Sequence, residues 1–184
     1  MKKTTNKSSK VNIVNIVVSS DLKSKLILEK ISAKLPHTEY EPEQFPGLVL
    51  KINEPRCSTL LFTSGRVVCT GTRSLKKTKE AINNVIKLLN KIGYDIKSEP
   101  VLNVQNMVAA GELGFDLNLN KLAVQLRNVE YEPEQFPGLV YKIKEPKASF
   151  LLFSNGKFVC TGTKNKQEVD DAVAELLKDL KKIK

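Results

Sequence analysis

Tryptophan is absent from this 184-residue sequence, histidine occurs once, cysteine three times, and aromatic residues make up only 6%. Each shortage closes a route. His37 follows Pro36 in a connecting segment with no second ligand or nucleophile near it in sequence, so it reads as a surface residue. Cys57, Cys69 and Cys160 show no zinc-site spacing, and an odd count without a signal-peptide pattern reads as reduced thiols inside a cell. Cys69 and Cys160 fall within Val/Cys/Thr runs, where a small buried side chain is the ordinary reading. No apolar run approaches the roughly 18 residues a membrane span needs. No nucleophile with a base, metal cluster or phosphate loop marks an enzyme site. The expectation is an intracellular, cytoplasmic protein with no catalytic residues, no metal, no cofactor and no membrane partner.

What is present is positive charge: 30 Lys and Arg against 20 Asp and Glu, a formal +10 and a pI near 9.5. Such a balance favours a polyanionic partner, nucleic acid first. The charge is uneven. Residues 10–93 carry 14 basic and 7 acidic groups, whereas residues 101–184 carry 12 and 11.

Those two segments are copies. Glu39 to Val49, EYEPEQFPGLV, returns unchanged as Glu130 to Val140, and a shift of 91 aligns residues 10–93 with 101–184 at 38 identities in 84 pairs without a gap. A period this long is a duplicated subdomain, not a solenoid unit. The chain divides into a flexible basic arm at 1–9, a first repeat at 10–93, a linker at 94–100 and a second repeat at 101–184. Two similar halves suit a ligand that is itself nearly twofold symmetric, as duplex DNA is.

Hydrophobic periodicity predicts, in the first repeat, a strand over 11–19 and a short helix carrying Leu22, Leu26, Leu28, Ile31 and Leu35 that Pro36 stops. Strands follow at 48–52, 58–63 and 66–72, then a helix over 74–92 capped by Gly93. The second repeat predicts a strand at 101–110, a helix near 117–126, strands through 163 and a helix over 166–183, with Asn165 and Glu168 as a capping box. The class is α+β.

Two helices per repeat cover one face of such a sheet, yet the strands are apolar on both faces. With period two, Ile16 and Val18, Leu61, and Val67 with Cys69 fall on one side. Asn15, Val17, Leu60, Phe62, Val68 and Thr70 fall on the other, joined from the second repeat by Asn106, Val108, Leu151, Phe153, Val159 and Thr161. Half-buried antiparallel strands ordinarily alternate apolar with polar, so an apolar second face marks a binding surface. Cations recur around it in pairs: Lys51 with Lys142, Arg56 with Lys147, Arg66 with Lys157. An apolar floor with a positive rim fits the DNA minor groove.

These motifs resemble the TATA-box-binding protein family in its archaeal form. QNMV at 105–108, FPGLVYKIKEP at 136–146 and LLF…G…VCTG in both halves carry the resemblance, which covers residues 11–184. It implies a saddle: two pseudo-twofold repeats, a curved ten-stranded antiparallel sheet below and four helices on the convex face. By that resemblance Phe45 with Phe62, and Phe136 (beside Pro137) with Phe153, are wedges into base steps. Asn15 and Asn106, with Thr70 and Thr161, address the central base pairs. Val17, Leu60, Val68, Val108, Leu151 and Val159 touch the groove floor, and Lys51, Arg56, Arg66, Lys142, Lys147 and Lys157 meet phosphate. Gln44 stands where the family often has a basic residue. Glu132 and Glu134 are implied contacts for transcription factor B, which recruits RNA polymerase to the promoter. The protein is then a monomer on double-stranded promoter DNA, with self-association of the free form left open. The competing reading makes the open sheet face a dimerisation or small-ligand surface.

Overall fold

The computed structural model describes residues 10–183; the basic arm at 1–9 lies outside the described residues. The first repeat runs β1 (Asn12–Asp21), α1 (Leu28–Lys34), β2 (Thr38–Glu39), β3 (Leu48–Ile52), β4 (Cys57–Leu61), β5 (Arg66–Thr72) and α2 (Leu75–Lys91). The second runs β6 (Asn103–Glu112), α3 (Leu119–Gln125), β7 (Val129–Glu130), β8 (Leu139–Ile143), β9 (Ala148–Leu152), β10 (Lys157–Thr163) and α4 (Lys166–Lys182). All ten strands form one sheet in the order β2-β3-β4-β5-β1-β6-β10-β9-β8-β7, the same five-strand sequence read outward from each side of the centre.

Two compact units partition the chain, residues 15–106 in one and residues 107 onward with the start of β1 in the other. In the first unit α2 packs on β5 and β3. Its buried stripe is Thr78, Ala81, Ile82, Val85 and Leu89, spaced for one helical face. Leu28 and Ile31 from α1 close the same core. In the second unit α4 packs on β10 and buries Val169, Ala172, Val173, Leu176 and Leu180.

The helix ends obey capping chemistry. The Ser74 side chain accepts from the Lys77 N–H, and Gly93 follows α2 at φ 99°, a left-handed conformation glycine takes without strain. Asn165 caps α4 by accepting from the Glu168 N–H at 2.8 Å. The expected reciprocal half of that box is different: the Glu168 carboxylate accepts from the Lys164 N–H at 2.7 Å and the Asn165 amide at 2.8 Å.

Two sequence expectations are corrected. Leu22 and Leu26 are buried but precede α1; their N–H groups donate to the carbonyls of Gly65 and Thr63, both at 3.0 Å, so the segment is stitched to the β4–β5 hairpin. Leu117 does the same with Ser154 at 2.7 Å, which delays α3 to Leu119. The edge strands β2 and β7 were not predicted from periodicity, because two residues carry none.

Candidate nucleic-acid interface

Burial alternates residue by residue along the strands. In β4, Cys57, Thr59 and Leu61 are buried while Ser58 and Leu60 are half-exposed; in β5, Val67 and Cys69 are buried while Val68 and Thr70 are half-exposed. In β1, Ile16 and Val18 are buried and Asn15 and Val17 half-exposed. The second repeat follows the same pattern, with Asn106, Val108, Leu151, Phe153, Val159 and Thr161 all half-exposed. The helices therefore cover one face in each unit, and the face they leave is apolar.

Register explains how that face is built. Val49 pairs with Leu60 and Leu60 with Val68, forming an apolar row across three strands; Val140, Leu151 and Val159 form its counterpart. Beside each runs a polar row, Lys51 with Ser58 and Thr70, and Lys142 with Ser149 and Thr161. Val49, Val140, Ser58 and Ser149 were missed from sequence. The period-two rule finds Val49 and Val140 on β3 and β8, where Leu48 and Leu50 are buried on either side of Val49, and Ser58 and Ser149 on β4 and β9.

The phenylalanines meet in pairs. Phe45 and Phe62 have ring centroids 6.0 Å apart at 69°, and Phe136 and Phe153 are 6.2 Å apart at 64°, both edge-to-face. Phe45 and Phe136 remain 43% and 47% exposed, an unusual state for the bulkiest apolar side chain of a loop. A single helical turn presents each: the N–H groups of Gln44 and Phe45 both donate to the Glu41 carbonyl, and those of Gln135 and Phe136 to the Glu132 carbonyl. Gly47 and Gly138 make room for the rings. A Cβ on Gly47 would stand 2.6 Å from Phe45 Cε1, and one on Gly138 would stand 2.7 Å from Phe136 Cε1. Pro137 lies between Phe136 and this glycine and is exposed.

Asn15 is held in one orientation. The Gly71 N–H donates to its Oδ1 at 2.8 Å, and its Nδ2 donates to Thr70 Oγ1 at 3.1 Å. Because a backbone N–H can only face an acceptor, the amide cannot be flipped. Asn106 and Thr161 occupy the equivalent half-exposed places on β6 and β10.

All six paired cations are exposed. Lys51 forms an ion pair with Glu39, and Lys142 with Glu130 at 2.5 Å, whereas Arg56, Arg66, Lys147 and Lys157 carry no ion pair among the described residues. Glu132 and Glu134 are exposed on the β7–β8 loop, as Glu41 and Glu43 are on the β2–β3 loop. The cysteines take no part in this face: all three are buried, and burial pushes the Cys160 thiol up to about 11. Among the described residues no group of three His, Cys, Asp or Glu side chains could hold a metal, and no helix is long and apolar enough to cross a membrane.

Comparison with known proteins agrees with this geometry. The family described as transcription factor TFIID (or TATA-binding protein, TBP) matches twice, at residues 10–92 and 101–183. The TATA-box-binding protein of Thermococcus celer is 45% identical over 173 residues, covering 94% of this chain and 92% of that one. That of Picrophilus torridus is 48% identical over 176 residues, covering 95% and 96%. The solved structure of Methanococcus jannaschii TBP superposes with a TM-score of 0.88 at 42% identity, covering 94% of this chain and 99% of that one. With two family repeats, four helices and a ten-stranded antiparallel sheet, the chain belongs to the TATA-box-binding protein family.

Proposed function

We propose that this chain recognises TATA elements through the minor groove, bends the duplex, and nucleates archaeal transcription initiation in the cytoplasm by presenting the bent promoter to transcription factor B and, through it, to RNA polymerase. The observation that carries this reading is the half-exposed apolar face, repeated residue for residue in both units, with exposed cations on its polar rows and beside its strands.

The chemistry follows from the groove. In the minor groove only the guanine amino group distinguishes G·C from A·T. The rows Val49–Leu60–Val68 and Val140–Leu151–Val159 offer that amino group no acceptor, so a G·C pair buries an unsatisfied donor there. Asn15, held by Gly71, directs an amide nitrogen that can donate to adenine N3 or thymine O2. The exposed rings of Phe45 and Phe136 supply the wedges, each backed by a second phenylalanine. Wedging that kinks the duplex and widens the groove is the behaviour for which TATA-binding proteins are themselves the standard instance. Pyrimidine–purine steps such as TA are the easiest to kink, so deformability adds to base contacts in setting sequence preference.

A gel-shift series on TATA duplexes carrying single G·C substitutions tests the proposal. Each central substitution is expected to weaken binding about tenfold or more, from roughly 1–3 kcal/mol per mismatched pair. Equal binding to TATA and fully G·C-substituted duplexes would overturn it and leave the open face as a protein or small-ligand surface.

A further inference from the structure

The open face of one unit differs from its counterpart at the end of a row. In the first unit Val49–Leu60–Val68 continues onto β1 at Ser19, which pairs with Val68. In the second, Val140–Leu151–Val159 continues onto β6 at Ala110, which pairs with Val159. Directly paired residues share a face, so Ser19 and Ala110 both end their rows on the open side, and both are half-exposed. The shift of 91 that makes these two residues equivalent also makes Val14 the equivalent of Gln105. One row ends on a hydroxyl that bonds the Gln105 amide at 2.8 Å. The other ends on a methyl group, and the place of the amide is taken by Val14, 37% exposed.

The Gln105 amide is held in one orientation. Its Nε2 donates to Ser19 Oγ at 2.8 Å and to the Asn103 carbonyl at 3.3 Å. A carbonyl can only accept, so the nitrogen and not the oxygen must face Asn103. Both N–H bonds of the amide are then engaged, and Oε1 of this exposed side chain carries no hydrogen bond among the described residues. Gln105 therefore holds out an acceptor. Asn15 is its opposite, with the oxygen taken by Gly71 and a donor to spare.

An acceptor has one partner in the minor groove. The A·T floor shows only adenine N3 and thymine O2, which repel an amide oxygen, and the groove walls are phosphate oxygens; a G·C pair adds the guanine 2-amino donor. Resting on the minor-groove reading above, we propose that Gln105, positioned by Ser19, is a specificity-determining residue. Its Oε1 accepts from the 2-amino group of a guanine and admits a G·C pair flanking the central pairs, at the Ser19 end of the first row. The Ala110 end of the second row excludes that pair, because neither Ala110 nor Val14 has a side-chain acceptor. A single G·C pair then fixes which way the chain sits on an otherwise symmetric element.

The test uses the full chain and fluorescein-labelled duplexes with a palindromic A·T core. One G·C pair, or two at symmetry-related positions, is placed at each step from the centre, and inosine–cytosine pairs, which lack the 2-amino group, serve as references. Fluorescence anisotropy gives the ratio of G·C to inosine–cytosine affinity within each protein, so a general loss of affinity in a variant leaves the ratio readable. At one flanking position a single G·C pair is expected to bind within about threefold of its reference, because the chain turns to place it under Gln105. The symmetric pair there should cost about tenfold or more, since its second guanine faces Ala110. Val14→Gln with Ala110→Ser should bring the symmetric pair within about threefold as well, and Gln105→Val with Ser19→Ala should raise the cost of the single pair to about tenfold. Ser19→Ala alone should raise it too, whereas Ser19→Thr, which keeps the oxygen, should not. Four results would overturn the proposal while leaving A·T-selective binding in place: a tenfold cost for a single G·C pair at every position, a symmetric pair tolerated by the natural sequence, a tolerated position that survives Gln105→Val with Ser19→Ala, or no gain from Val14→Gln with Ala110→Ser. Failure to bind the duplex of A·T pairs alone would instead overturn the minor-groove reading, and this proposal with it.

Discussion

The backbone N–H of Gly71 donates to Asn15 Oδ1 at 2.8 Å, which ties the orientation of an amide on β1 to the end of β5. The left-handed φ of 102° at Gly71 suits glycine, and a Cβ there would stand 3.2 Å from Cys57 Cα, so the donor is fixed by backbone that tolerates little change. The oxygen is occupied, one N–H meets Thr70, and what the amide can still offer is a donor.

Asn15→Asp keeps the acceptor for Gly71 and removes the donor. TATA affinity is expected to fall about tenfold or more, from roughly 1–3 kcal/mol for a buried acceptor left facing acceptors, with unchanged circular dichroism. Anisotropy on a labelled TATA duplex measures it. Undiminished affinity would mean that this face does not read bases.

If Phe45 and Phe136 are wedges as proposed, the glycine two residues after each should control bending. Gly47→Ala and Gly138→Ala place a methyl carbon within 2.6 and 2.7 Å of the Phe45 and Phe136 rings, which must swing away from their partners. Energy transfer between dyes at the two duplex ends should show reduced bending in either variant, comparable with Phe45→Ala plus Phe62→Ala or Phe136→Ala plus Phe153→Ala. The exposed ring can move cheaply, so the thermal midpoint should shift little. Full bending in all four would exclude the wedge assignment.

Salt response reports how many cations reach phosphate. If all six do, log K falls with log salt at a slope of about −5, at roughly 0.9 per neutralised phosphate. Glu39 and Glu130 compete for two of them, so Glu39→Gln with Glu130→Gln should raise low-salt affinity by up to about fivefold, the range of an exposed ion pair. A slope near zero in both proteins contradicts the phosphate footprint.

Promoter direction requires that two identical loops behave differently. The β2–β3 and β7–β8 loops share EYEPEQFPGLV, but Leu50 becomes Tyr141 and Asn53 becomes Lys144, and the second repeat is nearly neutral. Glu134→Arg is expected to abolish capture of transcription factor B on a pre-bound TATA duplex while leaving duplex affinity within about twofold, since rim charges set partner choice and on-rate. Glu43→Arg should do much less. Equal loss from both variants would dismiss one-sided docking.

Much of the open sheet face was legible because it is local in a strand. Period two separates Leu60 and Val68 from Leu61 and Val67 without knowledge of the partner strand, and duplication shows each assignment twice. Leu22, Leu26 and Leu117 misled because a run of leucines at helical spacing looks the same whether its N–H groups bond within a helix or to a neighbouring hairpin. That choice is made by Gly65, Thr63 and Ser154, 37 or more residues away.

The amino-acid sequence by itself determined the duplication, the two apolar strand faces, the capped helices and the family, because each is written in spacing along one segment or in identity between two. Tertiary structure alone decided the rest. It set which cations are free and which are held by Glu39 and Glu130, how Gly71 orients Asn15, how Gly47 lets two rings meet, and how the Tyr141 hydroxyl comes to donate to Asp179. Those are contacts between distant segments, and their energies depend on distances that no local pattern encodes.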